Sequence, residues 1–163
     1  MKNSSALFLQ IVIVLTGIGT LALMLWEPHL EGRNAHATPF EIYFNDPFLA
    51  YVYVGSTPFF VALCRAFGLF GNVRQTGAFS QGTVDALRAI KRCALALMGF
   101  VAGGAVFILL LGDKEDRPPG IFMSFLAIVA SSIIATAAAM FARNLQNRLG
   151  RPLPDARGPL SVK

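Results

Sequence analysis

Four apolar stretches set the pattern of this chain, at residues 6–26, 47–70, 90–111 and 121–142, with polar segments rich in Gly, Pro or charge between them. A helix rises about 1.5 Å per residue, so roughly 20 apolar residues cross the hydrocarbon core of a bilayer. Residues 6–26 and 93–111 contain no charged side chain. The pattern therefore predicts an all-α polytopic membrane protein, an antiparallel bundle of four transmembrane helices over residues 1–149. Residues 150–163, with few apolar anchors, read as a flexible tail. Ala35-His36-Ala37 has the form of a signal-peptide cleavage site, but it lies far beyond the first apolar run, and that run is too long for a signal core. The run is read as an uncleaved span.

The connections carry their own signals. Residues 27–46 hold Pro28, Gly32 and Pro39, which interrupt a long helix, and residues 39–44 (PFEIYF) suit the membrane surface. Asn45-Asp46-Pro47 reads as a helix start, a capping side chain before a proline that has no hydrogen bond to lose. Pro58, within Gly55-Ser56-Thr57-Pro58, crowds the carbonyl of Val54 and predicts a kink, with Ser56 and Thr57 as hydroxyls able to serve the freed carbonyl. Residues 71–81 read as a short polar connection, with Ser80 capping the next helix and Asp85 in its early turns. Residues 112–120 (GDKEDRPPG) read as a turn broken by prolines, and the last helix continues through Arg148 to stop at Gly150.

Composition agrees with the membrane reading. The chain of 163 residues is 55% apolar and only 14% charged, against about 25% charged in soluble domains. The net charge of +5 resolves by side: eleven Lys and Arg fall on the side of the termini and three (Arg33, Lys114, Arg117) on the other. The positive-inside rule then places both termini in the cytoplasm. Trp26, Tyr43, Tyr51 and Tyr53 cluster at the expected outer boundary, where amphipathic rings settle. The basic residues lack the aromatic interleaving of a nucleic-acid surface, so direct DNA or RNA binding is not expected. Anionic lipid headgroups are the more natural contact.

Packing in lipid relies on close approach of small residues. In the third span Ala96, Gly99 and Gly103 share a face, with Gly99 and Gly103 in GxxxG spacing. In the fourth, Ser124, Ala127, Ser131, Ala135, Ala138 and Ala142 form a seam at spacings of three and four. These two faces are expected to meet, although either suits a second protein as well.

Candidate chemistry is sparse. No ionisable residue lies deep in a span; Arg65 sits near a boundary and reaches it by snorkelling. Glu27, His29, Glu31 and His36 offer metal-ligand types, but their spacing matches no known zinc motif. Cys64 and Cys93 form no CxxC pair and read as reduced, packed thiols. There is no phosphate loop and no nucleophile elbow, so neither catalysis nor a cofactor is expected.

Residues 51–70 (YVYVGSTPFFVALCRAFGLF) and 77–95 (GAFSQGTVDALRAIKRCAL) resemble, within a likeness covering residues 6–149, a family of small four-span bacterial inner-membrane proteins of unknown function. Members of such families are often encoded beside a small helix-turn-helix regulator, and the resemblance implies a membrane partner for a transcription factor. On this reading Arg74, Arg88, Lys91, Arg92, Arg143 and Arg148 form the cytoplasmic contact surface, for a protein partner or for lipid. Two other readings stay open. One is a transport or channel component built around the Pro58 break, and the other is an external ligand or metal sensor at His29 and His36.

Overall fold

The computed structural model describes residues 3–30, 47–76, 79–111 and 117–150. They form helices α1 (Asn3–Leu30), α2 (Pro47–Thr76), α3 (Gln81–Leu111) and α4 (Arg117–Leu149), with no strand among the described residues. Each helix contains a stretch long and apolar enough to cross a membrane. The shortest has 28 residues, about 42 Å at 1.5 Å per residue, more than a core of about 30 Å requires. The excess tilts the helices or carries their ends past the hydrocarbon.

Local chemistry explains the helix ends. Pro47 opens α2 and Pro118 and Pro119 lie in the first turn of α4, where a missing N–H costs nothing. The prolines of residues 112–120 thus start a helix instead of breaking one. At α3, the backbone N–H of Ser80 donates to Thr83 Oγ1 (3.3 Å) and the N–H of Thr83 donates to the Ser80 carbonyl (2.9 Å). The first bond is one half of a capping box, with threonine where glutamate is usual, and the second is an ordinary backbone turn. At α4, the N–H of Gly150 donates to the Gln146 carbonyl at 2.9 Å and closes the last turn. Several boundaries differ from the sequence reading. α4 starts at Arg117, inside the expected turn, and α1 runs on through Pro28 to Leu30, into the expected connection, because a proline this near a helix end costs few rungs. Residues 71–76 continue α2 instead of forming a loop, because Leu69 and Val73 bury on one face and hold the last turns down.

Chain order is also packing order: α1 lies on α2, α2 on α3, and α3 most extensively on α4. All three pairs are antiparallel. Gly17 faces Leu63, Phe48 stacks on Phe107, and Gly120 faces Ile108. The buried positions are mostly small, with Ala94 and Gly104 on α3 and Ser131, Ala135, Ala138 and Ala142 on α4. The exposed positions are large and apolar: Leu110 is 73% exposed and Leu23 is 69% exposed. Water would penalise such a surface at about 25 cal/mol per Å², whereas acyl chains cover it without cost. The fold is that of an all-α polytopic membrane protein.

Candidate functional site

Three side chains inside the apolar spans donate hydrogen bonds to the backbone of a neighbouring helix. Gln10 Nε2 on α1 reaches the Phe67 carbonyl at 3.3 Å, Tyr51 Oη on α2 reaches the Phe100 carbonyl at 2.7 Å, and Tyr53 Oη reaches the Met24 carbonyl at 2.8 Å. Each acceptor is laid open by its own sequence. A side chain at i+4 leans back toward the helix N-terminus and shields the carbonyl of residue i. At Phe67 and Phe100 the i+4 residues are Gly71 and Gly104, which have no side chain. A Cβ on Gly71 would stand 3.1 Å from Gln10 Nε2, one on Gly104 3.5 Å from Tyr51 Cε1, and one on Gly103 would strike the Tyr51 hydroxyl. At Met24 the i+4 residue is Pro28, which has no N–H to close the helical rung. Tyr53 donates where that rung is missing.

These ties alter the reading of the aromatic residues. Tyr51 and Tyr53 are half-buried and fasten helices together, while Trp26 is 66% exposed. Tyr43 lies outside the described residues. The GxxxG pair also divides. Gly103 faces Tyr51 of α2, not α4, and Gly99 faces open space, as does the exposed Ala96. The GxxxG face of α3 therefore does not meet the α4 seam. Ser131 and Ala135 of that seam are 4% and 6% exposed, and α3 approaches α4 through other residues, Met98 and Ile108 among them. Pro58 lies inside the continuous helix α2. Ser56 donates to the Tyr53 carbonyl at 2.8 Å, three residues back, and not to that of Val54.

The basic residues gather at the end where α2 finishes, α3 begins and α4 finishes. Arg74, Arg92, Arg143 and Arg148 are exposed and Lys91 is half-buried. Arg88 is engaged within the fold: its Nη2 donates to Gln146 Oε1 at 2.7 Å, and its Nη1 lies 3.6 Å from Asp85. It fastens α3 to α4.

Two cavities flank the helix contacts. One of about 530 Å³ opens at the basic end, bordered by all four helices, with Leu9, Phe70, Leu87 and Phe141 on its walls and Asn144 and Arg148 among its few polar groups. The other, of about 290 Å³, lies at the opposite end beside Tyr51, Gly55, Phe100 and Ser124. The hydroxyls of Ser56 and Ser124 there are spent on carbonyls of their own helices.

The family model described as "Protein of unknown function (DUF2975)" matches residues 30–148. The chain belongs to the DUF2975 family. It is also similar to the uncharacterized membrane protein YoaS of Bacillus subtilis (strain 168), with 34% identity over 150 residues, covering 91% of this chain and 94% of that protein. No solved structure matches it.

The remaining candidates on this DUF2975 chain are quickly placed. Cys64 is an exposed free thiol and Cys93 a half-buried one. Among the described residues no group of three or more His, Cys, Asp or Glu side chains comes together. Glu31, His36, the cleavage-like Ala35-His36-Ala37 and residues 151–163 lie outside the described residues, as do the side chains of Glu27 and His29. The ties at Gln10, Tyr51 and Tyr53 escape a reading by apolar runs. The signal that finds them is a lone polar donor within a run, paired with a glycine or proline four residues beyond an acceptor on the neighbouring helix.

Proposed function

We propose that this DUF2975 protein is a non-enzymatic protein of the bacterial cytoplasmic membrane, with both termini in the cytoplasm, that acts by holding a protein partner at its basic end. The observation that carries this reading is the convergence of Arg74, Lys91, Arg92, Arg143 and Arg148 where three helices end or begin. The eleven-to-three division of Lys and Arg supports the orientation. The absence of a catalytic motif in the sequence supports a binding role, and the specific form favoured is retention of a small transcription regulator at the membrane. The competing account is that the same charges only orient the chain and touch lipid.

Two measurements test the reading. Reporter fusions at residues 1 and 163 should both report the cytoplasm. Proteins that co-purify in mild detergent should be lost from an Arg92→Gln, Arg143→Gln double variant that still inserts. Recovery of the same proteins from that variant removes the contact surface. Arg88 is a poor probe, since its loss disturbs the α3–α4 contact.

A transport role is the second reading, favoured by the cavity beside Gly55 and Ser56. Its mostly apolar walls and spent hydroxyls offer a polar solute little to bind. Solute flux in liposomes that changes with Pro58→Ala would promote this reading above the first.

A further inference from the structure

The cavity at the basic end lies at the same height as the cations around it. Arg88 bonds Gln146, and Gln146 stands between two residues that border the cavity, Leu145 and Arg148. Leu87 and Ile90 border it on either side of Arg88 along α3. An apolar hollow at the level of a ring of charged side chains lies at the headgroup boundary and not in the middle of the bilayer. Neither water nor hydrocarbon alone suits such a place, whereas an amphiphile suits both parts of it.

The cavity is polarised along α4. Arg148 lies nearest the end of the helix, Asn144 one turn inward on the same flank, and Phe141 deeper still. From Arg148 to Phe141 is seven residues, about 10 Å along the axis. Along α4 the polar groups are thus outermost and the aromatic side chain innermost, in the sense in which a phospholipid of that leaflet stands, while Phe79, just ahead of α3, adds an apolar wall at the outer end. Arg148 has no hydrogen-bond or ion-pair partner among the described residues, in contrast to Arg88. The volume of about 530 Å³ is within the range of small-molecule sites, room for part of a lipid. Basic pockets between transmembrane helices suit anionic headgroups.

We propose that this cleft holds one anionic phospholipid, its phosphate at Arg148 and Asn144 and an acyl chain along Leu87, Ile90 and Phe141. The site shares Arg148 with the proposed partner surface but does not rest on that reading. It needs only that this end of the bundle lie at a membrane surface, whichever surface that is.

Native mass spectrometry of the purified full chain with phosphatidylglycerol and phosphatidylethanolamine of identical chains tests the site. The expected result is one phosphatidylglycerol retained several-fold more than phosphatidylethanolamine. Arg148→Gln should abolish the preference, and Leu87→Trp, which fills the cleft, should remove retention of both lipids. Arg143→Gln removes the same charge at a position that does not border the cleft and should leave the preference intact.

Equal retention of the two lipids overturns the proposal. So does an equal loss in the Arg143 and Arg148 variants, which would mean diffuse surface attraction. Displacement of the lipid by inorganic phosphate alone would reduce the site to an anion site and overturn the acyl-chain part. A photoreactive group at Phe141 that cross-links in membranes to a protein, and not to phospholipid, would assign the cleft to a partner instead.

Discussion

Tyr51 and the glycines beneath it show how single residues set helix spacing in lipid. The Tyr51 hydroxyl reaches the Phe100 carbonyl at 2.7 Å only because positions 103 and 104 carry no side chains. Such interhelical bonds contribute about 0.6 kcal/mol each on average. The steric term is larger, since overpacking a filled contact costs about 1–3 kcal/mol. Gly103→Ala should therefore lower thermal stability in detergent, and Tyr51→Phe should rescue most of that loss by removing the atom struck. Gly99→Ala, which meets nothing within 4 Å, should stay within about 0.5 kcal/mol of the parent or gain slightly from helix propensity. Equal effects at positions 99 and 103 would contradict this geometry.

At the scale of the element, α3 and α4 form the most extensive pair, joined along a seam of Ser131, Ala135, Ala138 and Ala142. No hydrophobic force from water drives helices together within lipid, so the seam works through close approach. Arg88 adds a latch near the polar end, and Ser132 adds a weak contact, its hydroxyl 3.6 Å from Met98 Sδ. Ala135→Leu should force the pair apart and cost about 1–3 kcal/mol. Arg88→Gln should cost less than about 1 kcal/mol, because that pairing is open to solvent. Thermal unfolding of the two variants side by side checks the order. A latch that outweighs the seam would reverse the account of what holds α3 to α4.

For the whole molecule, the weak point is α1. It packs on α2, and among its described side chains only Ala6 and Gln10 are buried. Hydrogen bonds tie it near both ends, Gln10 to Phe67 and Tyr53 to Met24 among them. Removing both donors, as Gln10→Leu with Tyr53→Phe, should release α1 while leaving α2, α3 and α4 packed. A disulfide between cysteines placed at Gly17 and Leu63, which lie in contact, should form readily in a parent lacking Cys64 and Cys93. It should form several-fold more slowly in the double variant. Unchanged cross-linking would mean that lipid-facing packing alone holds α1.

The apolar runs by themselves determined the number of spans, the helical class and most of the boundaries. Run length against bilayer thickness is a one-dimensional quantity, and Pro47 and Gly150 mark helix ends through local backbone chemistry. The α4 seam of Ser131 and Ala135 was likewise readable, since spacings of three and four define a face before any partner is known. Only the tertiary structure decided which neighbour each face met. Gly99 and Gly103 satisfy the same spacing rule, yet 103 lies under Tyr51 and 99 faces open space. Gln10, Tyr51 and Tyr53 each needed a bared carbonyl on another helix, tens of residues away. The cleft at the basic end exists because Leu9, Phe70, Leu87 and Phe141 come from four separate helices. Periodicity orients side chains about their own axis, but distances between axes arise only when helices pack, and those distances determine the hydrogen bonds and cavities.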